Sequence, residues 1–160
     1  MDALARLIAI EEIKQLKARY FRLMDTRDWE GLAQVFCTDA VFDSSEAGRC
    51  TPVGGVPRGR IGQVTEGRDA IGAWLENAFA HHTSVHHGHG HEIWVDSETE
   101  AHGIIAMEDR LRGLDRAADV LHAAGHYHER YRVEDGAWRI AHTKLTRLFN
   151  DVEPGSAFSS

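Results

Sequence analysis

The chain has 160 residues, 42% of them hydrophobic and 27% charged, which is the composition of a globular protein and near the size of one domain. Its formal net charge of −7, with no clustered basic surface, excludes nucleic acid as a partner, because phosphate binding needs a positive face. No apolar run reaches the ~18 residues of a membrane span. The N-terminus MDALARLIAIEEIK carries acids within its apolar stretch, so neither a membrane partner nor a secretory leader is expected, and the expected location is cytoplasmic.

In chain order, Leu7, Ile10, Ile13, Leu16, Tyr20 and Met24 recur at spacings of three and four and predict a helix from about Leu4 to Met24, with Glu11, Lys14, Lys17 and Arg19 on its other faces. DTRD interrupts the pattern. Its second acid, Asp28, suits the N-cap of a shorter helix with Trp29, Leu32, Ala33 and Phe36 along one stripe. AVFD reads as a short strand, and Ser44 to Gly62, rich in glycine and proline, reads as a long loop of the kind that forms lids. A third helix is predicted from about Arg68 to Ala80, on Ile71, Trp74, Leu75, Ala78 and Phe79.

Extended segments follow at about Val85 to Val95, Ala101 to Leu114, Val120 to Val133 and Trp138 to Phe149, and the EDG at Glu134 to Gly136 signals a hairpin. Helices first and a meander of strands after them predict an α+β fold with a mostly antiparallel sheet. One domain over residues 1–152 and a mobile tail over 153–160 are expected. Cys37 and Cys50 are the only cysteines, without CxxC spacing, and suggest reduced thiols.

The runs ARYFRLMDTRDWEGLAQVFCTDAVFD, GRDAI, SVHHG and GHYHERYRVEDGAWRIAHTKLTRLF together resemble SnoaL-like proteins of the nuclear-transport-factor-2-like superfamily. The resemblance covers nearly all of residues 5–150. It implies a cone-shaped curved sheet with about three N-terminal helices enclosing one pocket, and association into a homodimer or homotrimer. In the scytalone dehydratase and dehydrochlorinase branch, an aspartate after the first helix pairs with a histidine at the start of a long strand. Here those positions are Asp25 of MDTRDW and His86 of SVHHG. The dehydratase's first pocket tyrosine falls on Met24, and the dehydrochlorinase's helix lysine falls on Tyr20, so the substrate does not follow from the resemblance.

A neutral imidazole can take a proton alpha to an electron-withdrawing group when a carboxylate holds its other nitrogen. Asp25 would orient and His86 would act as base, while Tyr20, five residues before Asp25, could donate a hydrogen bond to an enolate or a leaving hydroxyl. Each has a plainer reading: Asp25 as a helix cap or turn residue, Tyr20 as packing. Phe21, Met24, Trp29, Phe42, Trp74 and Tyr127 are the expected substrate-binding residues, with Phe36 a further candidate for the wall, and they suit a flat hydrophobic ring.

Eleven histidines occur, six of them between His81 and His91. HxH on a strand puts two imidazoles on one face, yet no spacing here matches a metal motif, and Gly88 and Gly90 could bulge the strand, so no metal site is assigned. Period-two alternation places Gly125, Tyr127, Glu129 and Tyr131 on one face of their strand and His126, His128, Arg130 and Arg132 on the other. With no phosphate loop, Schiff-base context or flavin motif, no cofactor is expected. The expectation is a cofactor-independent lyase or isomerase of dehydratase or cyclase type, acting on a small hydrophobic cyclic substrate. A non-catalytic binding module and a histidine-cluster metalloenzyme are the alternatives.

Overall fold

The computed structural model describes residues 1–50, 58–59, 61–114 and 119–154. The chain runs α1 (Ala3–Asp25), α2 (Trp29–Ala33), β1 (Phe36–Asp43), β2 (Arg49–Cys50), β3 (Arg58–Gly59), β4 (Val64–Glu66), α3 (Arg68–Phe79), β5 (His82–Val95), β6 (Glu100–Gly113), β7 (Asp119–Glu134) and β8 (Ala137–Val152). One curved, unclosed six-stranded sheet has the order β4-β1-β8-β7-β6-β5, and β2 pairs with β3 separately. All neighbours in the large sheet are antiparallel except β1 with β8. The architecture is the expected α+β arrangement. No helix among the described residues is long and apolar enough to cross a membrane.

The start of α1 is set by Asp2, whose carboxylate accepts the Ala5 N–H at 2.7 Å and satisfies one of the free donors of the first turn. The buried face holds Ile13, Leu16, Tyr20 and Met24 as the spacing predicts, but Leu7 is 63% exposed. The larger departure is Lys17, expected on an outer face and found fully buried. Its ammonium meets Glu129 of β7 at 2.7 Å, and a partner more than a hundred residues away leaves no trace in the periodicity of the helix.

Asp28 caps α2 as expected, accepting the Gly31 N–H at 2.9 Å. The helix stops at Ala33, and Phe36, placed on the helical stripe by its spacing, is the first residue of β1. Competition from β8 explains the difference: Ile140 donates to the Val35 carbonyl at 2.9 Å, and Phe36 pairs with Ile140. The strand expected at AVFD is therefore longer at its N-terminal end. The loop expected from Ser44 to Gly62 contains β2 and β3, and β4 follows it before α3; residues 51–57 and 60 of it lie outside the described residues, as do residues 155–160 of the expected tail.

The sheet is pinned by a two-residue turn between β7 and β8, where Asp135 and Gly136 both have positive φ (53° and 75°), a geometry Asp-Gly tolerates and most pairs do not. Farther along, register shifts between Ala124 and Gly125: Ala124 pairs with Phe149 but Gly125 pairs with Arg147, leaving Leu148 as an extra, exposed residue. A Cβ on Gly125 would lie 1.8 Å from the Thr146 carbonyl oxygen, so glycine permits this bulge. Its consequence is directional. Arg147 and Asn150, three residues apart, both turn toward the inner face, opposite buried Gly125 and Ala123.

Candidate active site

Helix α1 ends over the beginning of β5, and that junction brings Asp25 to His86. Asp25 Oδ2 accepts the His86 backbone N–H at 2.8 Å, and Oδ1 accepts the Ser84 hydroxyl at 2.9 Å and meets His86 Nδ1 at 2.6 Å. A carboxylate offers only acceptors, so in the neutral imidazole Nδ1 carries the proton and the lone pair resides on Nε2. The imidazole is buried, with Phe21 stacked on it at 6.4 Å and 16° between planes, and Phe79 at 5.7 Å. Gly88 makes room for the Phe21 ring: a Cβ there would stand 2.4 Å from Cε2.

The Nε2 edge of His86 faces Asp109 of β6, whose Oδ2 is 3.9 Å away. Asp109 is held by Arg147 of β8 through two parallel hydrogen bonds of 2.8 Å, the planar fork geometry that guanidinium and carboxylate share. Arg147 also donates from Nε to the Ala47 carbonyl at 3.0 Å, tying the segment after β1 to the sheet. His86, Asp109 and Arg147 all line one interior cavity of about 410 Å³, within the usual range for small-molecule sites. A groove of about 510 Å³ lined by His122, Asn150, Asp151, Val152 and Glu153 shares Asn150 and Val152 with the cavity and is more open to solvent, so it cannot desolvate a ligand in the same way.

The rest of the cavity lining is largely apolar, with Met24, Phe42, Trp74, Phe79 and Leu111. Tyr20 and Tyr127 complete it, their rings edge to face at 5.9 Å, and burial pushes both phenols above their ordinary range. Behind them lies a second polar group. The Lys17 ammonium sits 3.9 Å from the Tyr20 ring centroid and 3.6 Å from that of Tyr127, within cation–π range. Glu129, its partner, also accepts the hydroxyls of Tyr131 at 2.6 Å and Thr143 at 3.0 Å.

Of the expected site residues, the structure thus brings Asp25 to His86 and places Tyr20, Met24, Phe42, Trp74 and Tyr127 on the cavity wall. Phe21 and Trp29 do not line it. Phe21 is occupied in supporting the His86 ring, and Trp29, the first residue of α2, is taken up in packing partly buried against the main core. Phe36 is fully buried in that core and likewise absent from the wall. Asp109, Arg147 and Asn150 join the wall without having been expected there. Strand alternation carries a signal for Asp109, the one acid in the inward series Ala101, Gly103, Ile105, Met107, Asp109, Leu111 of β6, and for Arg147, which continues the inward series of Thr143 and Leu145; the bulge at Leu148 conceals Asn150. Among the described residues no three His, Cys, Asp or Glu side chains gather as a metal ion would require. His86 and His87 point to opposite faces, and β5 changes register between Gly88 and His91.

Solved structures with the same fold cover nearly the whole chain. A candidate scytalone dehydratase of Novosphingobium aromaticivorans is 21% identical, with a TM-score of 0.78 over 98% of this chain and 95% of that one. A hexachlorocyclohexane dehydrochlorinase of Novosphingobium barchaimii is 19% identical, with a TM-score of 0.72 over 99% of each chain. A protein of unknown function from Mycobacterium tuberculosis is 26% identical, with a TM-score of 0.70 over 89% of this chain and 73% of that one. The SnoaL-like domain matches residues 5–144, and with helices, sheet and cavity arranged as described, the chain belongs to the SnoaL-like domain family.

Proposed function

We propose that this chain is a cofactor-independent lyase or isomerase that acts on a small hydrophobic cyclic molecule through His86 and Asp25. One observation carries the reading: the 2.6 Å contact between His86 Nδ1 and Asp25 leaves the Nε2 lone pair at the wall of a cavity sized for a small molecule. A ring seated against Phe42 and Trp74 would present an acidic C–H to Nε2. Proton transfer breaks that bond and forms an imidazolium stabilised by Asp25. The Tyr20 and Tyr127 hydroxyls, kept protonated by burial, would donate to the oxygen that gains charge.

In an elimination the electron pair forms a ring double bond, the carbon–oxygen bond breaks, and the imidazolium proton leaves with the oxygen as water. In an isomerisation the same proton returns to a different carbon. Both close the cycle with His86 neutral and need no redox partner. The relatives named for dehydration and dehydrochlorination support an elimination as the first activity to seek. The test is a panel of cyclic β-hydroxy ketones and halogenated rings, with His86→Ala and Asp25→Asn alongside the wild type. Turnover that collapses in both variants is expected; tight ligand binding without turnover in the wild type would make the chain a binding module.

A further inference from the structure

Inward positions of four strands converge on the free edge of His86. His86 of β5 stands directly opposite Asp109 of β6, and Asp109 stands opposite Ala123 of β7. Directly paired residues project to the same side of a sheet. The Nε2 edge of His86 and the Asp109 carboxylate therefore share the cavity wall, with 3.9 Å between Nε2 and Oδ2. Arg147 starts on β8, two strand spacings or about 10 Å from β6, and reaches Asp109 across β7. On that path β7 presents Ala123 and Gly125, side chains small enough to let a guanidinium pass over them.

Both side chains of the Asp109–Arg147 pair are 5% exposed. A buried ion pair gains little over apolar packing of the same volume, because desolvation of two charges offsets most of their attraction. Stability alone explains its place on a cavity wall poorly, and its orientation is more informative. Arg147 donates to both carboxylate oxygens at 2.8 Å, which fixes the plane of the group and leaves Oδ2 turned to His86. At 3.9 Å that contact is longer than a hydrogen bond. In the neutral ring Nε2 has a lone pair and no proton to offer, so the carboxylate stands as an acceptor beside a nitrogen that does not yet donate.

We propose that Asp109 is a positioning residue for the base: its carboxylate stabilises the imidazolium that His86 becomes when Nε2 takes a proton, and Arg147 holds it where it does so. The inference rests on the proposed function, in that it needs Nε2 as the proton acceptor. In that step the substrate C–H bond breaks, Nε2–H forms, and the electron pair stays with the substrate. Asp109 keeps its charge throughout and exchanges no proton. Before the transfer an anion faces a lone pair, which is unfavourable. After it the same anion faces a cationic N–H, which is favourable, and an approach of about 1 Å makes the contact a hydrogen bond. Both differences favour the transition state over the resting ring. With Asp25 on Nδ1, the charge develops between two carboxylates.

The experiment follows α-proton exchange of β-tetralone, a cyclic ketone with acidic α-protons, in deuterated buffer over a range of ketone concentrations. The wild type, Asp109→Asn and the double variant Asp109→Asn with Arg147→Gln are compared, each with its thermal midpoint. Asp109→Asn alone strands the Arg147 charge and is expected to unfold at lower temperature. The double variant removes both charges, retains amide groups that can bond across β7, and is expected to melt near the wild type. Its kcat should fall by about tenfold or more, the effect of losing an opposite charge about 4 Å from the reacting nitrogen, with KM little changed. A folded double variant with the wild-type kcat makes the pair a scaffold and overturns the assignment, as does a loss carried by KM. If the double variant does not fold, Arg147→Lys replaces it, keeping both charges but exchanging the fork for a point contact; a lower kcat at similar KM is expected there, and the wild-type kcat overturns the assignment. If the wild type and not His86→Ala exchanges the ketone while these variants match the wild type, this inference alone falls. If the wild type exchanges nothing, the His86 reading fails and this inference with it.

Discussion

Asp25 Oδ1 and His86 Nδ1, 61 residues apart in sequence, meet at 2.6 Å where the last turn of α1 crosses β5. Asp25→Asn would keep the shape and replace an acceptor by an amide that can turn its N–H2 toward the ring, favouring the tautomer with the proton on Nε2. The expected result is a loss in kcat of about a hundredfold or more, with KM and the denaturation midpoint little altered. A variant that loses stability in proportion to activity would mark Asp25 as structural.

Gly88 supports the same imidazole at one remove. Gly88→Ala would place a methyl 2.4 Å from Phe21 Cε2 and displace the ring stacked on His86. Overpacking of this kind costs about 1–3 kcal/mol, and kcat should fall further than such a loss of stability explains. Gly90→Ala is the control, because a Cβ there meets nothing within 4 Å. Equal effects of the two substitutions on turnover would separate Phe21 from the His86 geometry.

The Lys17–Glu129 pair is fully buried, and burial lowers the affinity of the Lys17 amine for its proton while Glu129 opposes that shift. Lys17→Ala leaves an uncompensated carboxylate in the core and is expected to cost about 3–5 kcal/mol in urea unfolding. Lys17→Met with Glu129→Gln should recover most of that loss, as the charge and its partner are removed together. A single variant as stable as the wild type would contradict the pairing.

All three tyrosines, Tyr20, Tyr127 and Tyr131, are buried, and burial raises each phenol above its ordinary value of 10.0. The folded chain then holds phenolic protons that the unfolded chain has already released, so stability present below about pH 10 is lost as pH rises beyond it. Denaturant midpoints should fall above that pH. Phenolate absorbance in the near ultraviolet should appear together with unfolding, in one cooperative step. A native protein that titrates its tyrosines separately and early would contradict their burial.

How far the sequence discloses this site depends on the kind of regularity each residue obeys. Helical spacing along α1 and alternation along β7 are local, and they suffice to place Tyr20, Met24 and Tyr127 on inward faces. Asp28 is likewise recognisable as a cap from its neighbours alone. Lys17 is not, because its partner Glu129 belongs to another element and a lysine in a helix is ordinarily solvated. The end of α2 is decided by β8, a non-local competitor. Asn150 lies beyond the one-residue bulge at Leu148, and a single extra residue reverses the face of everything after it. The functional wall therefore reads well up to the bulge at Leu148 and poorly past it.

Removal of a proton from a ring carbon by His86 Nε2 is the central claim, and it can be tested without the natural substrate. Proton NMR of β-tetralone in deuterated buffer follows loss of the α-proton signals directly. Exchange well above the buffer rate is expected with the wild type, reduced by about a hundredfold or more in Asp25→Asn and returned to the buffer rate in His86→Ala. Exchange that survives in His86→Ala, or a wild type no faster than buffer, would contradict it.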